Sequence, residues 1–163
     1  MRHARAEDPA RARDFERILT PQGCDEARAM GKWLSQRSLS ITQVLCSPAL
    51  RTRQTAELVL GWWTDTPQIE YSAGLYLADC SILVATLEPM HPGALLLIGH
   101  NPGLEDLLMY ILPRRTIAQL GVGPLLPPAA ICVVDFTVED GVLVEGSGQL
   151  RATMRPKLLG ADE

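Results

Sequence analysis

Residues 94–98 read Ala-Leu-Leu-Leu-Ile, an apolar run with no polar interruption. Glycine stands on either side of it, at Gly93 and Gly99. Such a run predicts a strand covered on both faces. A strand of that kind needs helices above and below it, which confines the chain to a layered α/β architecture. The run ends in Gly99-His100, and Asn101-Pro102 opens a predicted helix reaching about Leu112. A histidine at the carboxyl end of a buried strand, ahead of a helix N-terminus, stands where open α/β sheets place ligand groups. A structural histidine satisfied at a turn is the alternative.

The rest of the chain alternates in the same way. Thr20-Pro21 is an N-cap followed by proline at the first helical position. Ala27, Met30, Trp33 and Leu34 recur at helical spacing, predicting a helix over 21–37. A short strand follows over 42–46. Ser47-Pro48 repeats the cap-and-proline pattern and predicts a helix to about Leu60. Gly61 to Pro67 reads as a turn with Trp62 and Trp63 half buried, 68–71 as a strand, and 81–87 as a helix stopped by Glu88-Pro89. Residues 113–128 read as a Gly/Pro-rich loop, a lid or a spacer. Strands are predicted over 130–136 and 149–154, with a hairpin turn at Asp140-Gly141 leading into 142–145. The fold class is therefore α/β: three layers, a mostly parallel central sheet with helices on both faces, and antiparallel strands at one edge.

At 163 residues the chain suits one domain, residues 1–163. No apolar run nears the roughly 20 residues of a membrane span, and the N-terminus is polar. A cytoplasmic location is expected. The net charge of −4 argues against a nucleic-acid binder. The charge is uneven, +4 over residues 1–53 and −8 over the remainder. Either a cationic surface awaits an anionic substrate, or surface charge is scattered at random. Cys24, Cys46, Cys80 and Cys132 form no CxxC, and His3, His91 and His100 show no metal-ligand pairing. Free thiols, no metal and no cofactor are expected.

Three segments carry the candidate chemistry. His3 stands in Met1-Arg2-His3-Ala4, suited to an imidazole that attacks phosphorus while arginines hold the oxygens. Residues 5–19 either rim that pocket or form a solvated connection. Arg51 lies one turn inside the second helix, near its positive end, and could hold an anion there. Otherwise Arg51 and Arg53 are exposed helix charges. His100 is the third group.

In these segments the chain resembles the histidine phosphatase superfamily, with its phosphoglycerate mutase-like fold, and within it the small SixA-type phosphohistidine phosphatases. Arg2-His3-Ala4 matches the family's Arg-His-Gly or Arg-His-Ala. Leu19-Thr20-Pro21-Gln22-Gly23 matches Leu-Thr-x-x-Gly. Residues 47–55, Ser-Pro-Ala-Leu-Arg-Thr-Arg-Gln-Thr, match Ser-Pro-x-x-Arg-x-x-Gln-Thr. Gly99-His100-Asn101-Pro102 matches the second histidine segment, and Arg155-Pro156-Lys157-Leu158 the small subfamily's ending. The resemblance implies a phosphatase in which His3 becomes phosphorylated while Arg2, Arg51 and His100 bind the phosphoryl oxygens. Nearby arginines should lower the pKa of His3 and keep it neutral, and a protonated His100 would add a third cationic donor.

The chain departs from the family twice. A strand of about five residues precedes Arg-His in the family. Its absence ahead of Met1 would leave a central sheet position unfilled, with weakened folding or a misplaced His3. Between Tyr71 and Ser81, where the family's acid is sought, the one carboxyl is Asp79. It is either the acid or a helix N-cap. A labile P–N bond needs less help from an acid, so the expected partner is a histidine-phosphorylated protein. A small phosphate ester, with Asp79 as acid, and an inactive phosphate-binding module are the alternatives.

Overall fold

The computed structural model describes residues 1–90, 93–121 and 123–159. Three parallel strands form the central sheet: β1 (Ile41–Cys46), β2 (Ile69–Tyr71) and β3 (Ala94–Ile98), in the order β2-β1-β3. Alternating side chains send this sheet into two cores. Val44, Cys46, Leu96 and Ile98 pack with Ala27, Met30, Leu34 and Val59. Leu45, Leu95 and Leu97 pack on the other face with Leu83, Leu104 and Leu108. These partners come from α1 (Pro21–Ser35) and α2 (Leu50–Leu60) on one side, and from α3 (Cys80–Leu87) and α4 (Gly103–Ile111) on the other. The three layers follow from that division.

Helix α1 begins as predicted, with Thr20 Oγ1 accepting the Gly23 N–H at 3.0 Å. Its buried face holds Ala27, Met30, Trp33 and Leu34. Gly31 lets α1 approach α2, because a Cβ there would lie 2.5 Å from the Val59 carbonyl. Helix α2 starts two residues later than the Ser47-Pro48 pattern predicts, and Ala49 at its N-cap makes no side-chain bond. Ser47 is not a cap; its hydroxyl is drawn instead to His100. Trp63 is partly buried as expected, but Trp62 is 49% exposed. The stretch read as a loop after 113 contains a short helix, α5 (Arg114–Gln119).

Beyond it, β4 (Ile131–Asp135) and β7 (Gln149–Met154) form an antiparallel pair. Between them β5 (Val138–Glu139) and β6 (Val142–Leu143) make the expected hairpin, with Asp140 and Gly141 at φ 50° and 80°. A last turn of helix, α6 (Pro156–Leu159), follows β7. Among the described residues no helix is long and apolar enough to cross a membrane.

Residues 1–3 lie between the carboxyl end of β3 and the approach to β4. The Met1 amine donates to the Leu97 carbonyl at 2.8 Å, and the Gly99 N–H to the Met1 carbonyl at 3.2 Å. The His3 N–H donates to Gly99 at 3.1 Å, and the Arg2 N–H to Ala130 at 3.2 Å. Burial pushes the Met1 amine down to about 6. Behind Met1 a cavity of about 610 Å³ separates β3 from β4, lined by Met1, Ile41, Leu95, Leu97, Ile131 and Val133 among others. The Ser47 N–H takes the Ile98 carbonyl on the β1 side and the Met1 amine takes the Leu97 carbonyl on the other, so the backbone groups of Leu95 and the Leu97 N–H face the cavity. The cavity thus offers backbone partners along β3 to an added strand. An engineered chain with five β-branched residues joined ahead of Met1 should melt at least about 4 °C higher than this chain. An unchanged melting temperature in a calorimetric scan would show that the cavity takes no strand.

Candidate functional site

Four segments meet at the carboxyl end of β3. The stub 1–3 brings His3, the turn after β1 brings Ser47, the first turn of α2 brings Arg51, and Gly99-His100 ends the strand. The His3 and His100 rings lie 5.3 Å apart, tilted by 58°. Arg51 links them. Its Nε donates to His3 Nε2 at 3.3 Å, and its Nη2 to His100 Nδ1 at 3.2 Å.

These bonds fix both tautomers. His3 Nδ1 lies 2.8 Å from the Ala4 carbonyl, so Nδ1 carries the hydrogen and Nε2 keeps the lone pair that accepts from Arg51. His100 Nδ1 accepts from Arg51, so its Nε2–H donates to Ser47 Oγ at 2.7 Å. The position of His3 is set from α2 as well. Thr55 Oγ1 accepts the Ala4 N–H at 3.0 Å and donates to the Arg51 carbonyl at 2.6 Å. Gln54 Oε1 accepts the Leu19 N–H at 2.8 Å and ties down the far end of loop 5–19. Thr52 Oγ1 staples the turn by donating to the Ser47 and Ala49 carbonyls. The Ser-Pro-x-x-Arg-x-x-Gln-Thr run thus holds the stub that carries His3 and the loop after it with one helix turn.

Arg51 is 2% exposed, while Arg53 lies outside, 5.0 Å from the Tyr71 ring. The alternative reading of exposed helix charges holds for Arg53 alone. Arg2 donates Nη1 to the Leu126 carbonyl at 3.2 Å, and its buried Nε has no partner. That leaves a guanidinium N–H available to an oxyanion. Asp79 is placed otherwise. Its Oδ1 accepts from the Ile82 N–H at 3.0 Å and from Ser81 Oγ at 2.7 Å, capping α3. Those bonds lower its pKa, so it stands as a carboxylate.

Burial lowers the pKa of His3 to about 4, with the charges of Arg51, Arg2 and Arg17 adding to it and the Ala4 bond opposing. Burial is thus the main cause, ahead of the arginines. His100 falls to about 3, by burial first and then by Arg51 and His3. In the resting site the His100 imidazole is therefore neutral, because a buried cation beside Arg51 is doubly unfavourable; the cationic donor expected above concerns the site with an oxyanion in it.

Loop 5–19 rims the pocket and brings two residues that its irregular pattern did not single out. Asp14 accepts from Arg51 Nη2 at 2.9 Å, from Arg17 Nη1 at 2.8 Å and from the Tyr76 hydroxyl at 2.6 Å. Tyr76 also sits edge-on to His100, with centroids 5.5 Å apart. Neither Asp14, Arg17 nor Tyr76 lies in a helical or strand period. Ser47 was visible in the sequence, but as a cap.

Residues 1–76 match the model of the histidine phosphatase superfamily, branch 1. The phosphohistidine phosphatase SixA of Escherichia coli (strain K12) is 49% identical over 124 residues, covering 71% of this chain and 74% of that protein. An uncharacterised protein of Mycobacterium tuberculosis, Rv1276c, is 34% identical over 113 residues, 68% of this chain and 69% of its own. The structure of the protein histidine phosphatase SixA complexed with tungstate superposes with a TM-score of 0.80 at 30% identity, over 98% of this chain and 96% of that one. With the two histidines and the buried arginine gathered at the end of β3, these matches settle the family: the chain belongs to the histidine phosphatase superfamily, as a SixA-like hydrolase.

Proposed function

We propose that this chain removes phosphoryl groups from histidine side chains of a protein, through a phosphohistidine formed on His3. The observation that carries the reading is the state of His3: a neutral ring whose Nε2 lone pair points at Arg51 while Nδ1–H is held by Ala4. An imidazole so oriented is ready to attack phosphorus without first losing a proton. Arg51 and Arg2 stabilise the charge on the equatorial oxygens during transfer. As the phosphoryl dianion arrives and draws Arg51 Nη2 from His100, the neutral His100, braced by Ser47, takes up a proton from water at Nδ1 and donates it in a hydrogen bond to a phosphoryl oxygen.

In the first step a P–Nε2 bond forms and the P–N bond to the substrate imidazole breaks. In the second, water attacks phosphorus, the P–Nε2 bond breaks and inorganic phosphate leaves. The substrate assignment rests on the leaving group. An alkoxide needs a proton from a positioned acid. Asp79 is committed to capping α3 as a carboxylate. Asp14 is held well below the usual carboxylate range, chiefly by the Tyr76 hydroxyl, then by Arg17 and Arg51 against some burial. Neither is a ready acid at neutral pH. A phosphorylated imidazole leaves as a neutral ring once its nitrogen is protonated, so it asks least of this site. The E. coli relative is a phosphohistidine phosphatase, which points the same way.

Brief mixing with a histidine-phosphorylated carrier protein should leave acid-labile, alkali-stable phosphate on His3. His3→Ala should turn over at least about 1000-fold more slowly. Full activity in that variant would remove His3 from the role. Simple phosphate esters should be poorer substrates than the carrier protein, and the reverse order would favour a small-molecule phosphomonoesterase.

The rate should also follow His3 with pH. Its pKa is depressed, so the competent neutral ring is present above about 4 and is lost as pH falls through that value. The acid limb of kcat/KM, measured with a substrate that does not titrate there, should have its midpoint near 4. A midpoint near the ordinary imidazole value would mean that His3 is not buried as described.

A further inference from the structure

Four of the five Arg51 N–H donors are engaged in the resting site, and Asp14 takes two of them. Nη1 donates to the Asp14 backbone carbonyl and Nη2 to Asp14 Oδ2 at 2.9 Å. The other carboxylate oxygen accepts from Arg17 Nη1 at 2.8 Å, and Arg17 Nε holds the Glu7 carbonyl at 2.8 Å. The Tyr76 hydroxyl completes the cluster on Oδ2 at 2.6 Å. One side chain thus presents two anionic oxygens to two guanidiniums beside the His3 lone pair. That is the charge and hydrogen-bonding pattern a phosphoryl group would present to the same arginine.

We propose that Asp14 is a resident stand-in for the substrate oxyanion and a determinant of affinity for it. With no substrate bound, its carboxylate compensates the buried Arg51, which without an anion would be strongly unfavourable. An arriving phosphoryl group must take Arg51 from Asp14. The carboxylate can yield, because its side chain is 41% exposed at the pocket mouth while Arg51 is 2% exposed. Short backbone turns on either side, Pro9–Arg11 and Asp14–Glu16, carry no buried residue described that would anchor them to the core. The loop can therefore move its carboxylate outward without opening either apolar core. Asp14 remains ionised at working pH, so the competition is always present.

This inference rests on the reading of Arg51 as an oxyanion ligand, and the test separates the two. Tungstate binding is measured by calorimetry at low salt for the wild type, Asp14→Asn, Tyr76→Phe and Arg51→Ala, with melting temperatures as a check of folding. Asp14→Asn keeps the side-chain shape and removes the competing charge, so it should bind tungstate at least about fivefold more tightly. Tyr76→Phe loosens the hold on Asp14 and should tighten binding in the same direction, by less. A residue that merely braced Arg51 would weaken binding when altered. Wild-type affinity or weaker in both variants, with Arg51→Ala impaired, would overturn the role of Asp14 and leave the seat intact. Undiminished binding by Arg51→Ala would remove the seat, and this proposal with it.

Discussion

Arg51 carries a permanent charge into a site where it is 2% exposed, and the arrangement around it follows from that constraint. A buried guanidinium left without partners is costly, and removing one partner of such a pair typically costs roughly 3–5 kcal/mol. The structure answers with His3, His100 and Asp14, drawn from three separate parts of the chain. Each acquires its chemical state from the arrangement. The two imidazoles accept from the arginine and are neutral in their buried setting, and the carboxylate stays ionised. A neutral imidazole and a cationic guanidinium thus coexist at hydrogen-bond distance, the pairing on which the proposed phosphoryl transfer to His3 rests.

The scaffold's contribution is placement. Strand β3 ends at the point where its two neighbours diverge, β1 on one side and the stub 1–3 on the other. His100 and His3 leave adjacent backbone positions there and face each other. Helix α2 starts beside them, so Arg51 reaches both rings from its first turn. The cavity between β3 and β4 lies directly behind Met1, two residues from His3. Packing in that cavity is therefore coupled to the position of His3 through a very short length of backbone.

Much of this was legible in the residues. The uninterrupted run 94–98 marked strand β3, buried at Leu96 and Ile98 and partly buried at its other positions, and its glycine-histidine ending leads into the candidate site. Thr20-Pro21 marked the start of α1 correctly because its proline and cap obey purely local chemistry. Ser47-Pro48 shows the same pattern and misled, because the hydroxyl has a tertiary partner in His100 that local spacing does not reveal. The helix over 114–119 was missed because glycines and prolines around it dominate the composition. Asp14, Arg17 and Tyr76 were missed for a related reason: their roles depend on a loop closing over a pocket, and an irregular loop leaves no period to read. The protonation of His100 was not legible, since it depends on burial and on Arg51, both properties of the folded chain.

The central claim is that His3 Nε2, Arg2, Arg51 and His100 address one tetrahedral or trigonal oxyanion. A crystal structure with bound vanadate tests it most directly. The vanadium should lie within bonding distance of His3 Nε2, with its oxygens taken by Arg2, Arg51 and His100. Vanadate bound through His3 Nδ1, or found away from Arg51, would contradict it.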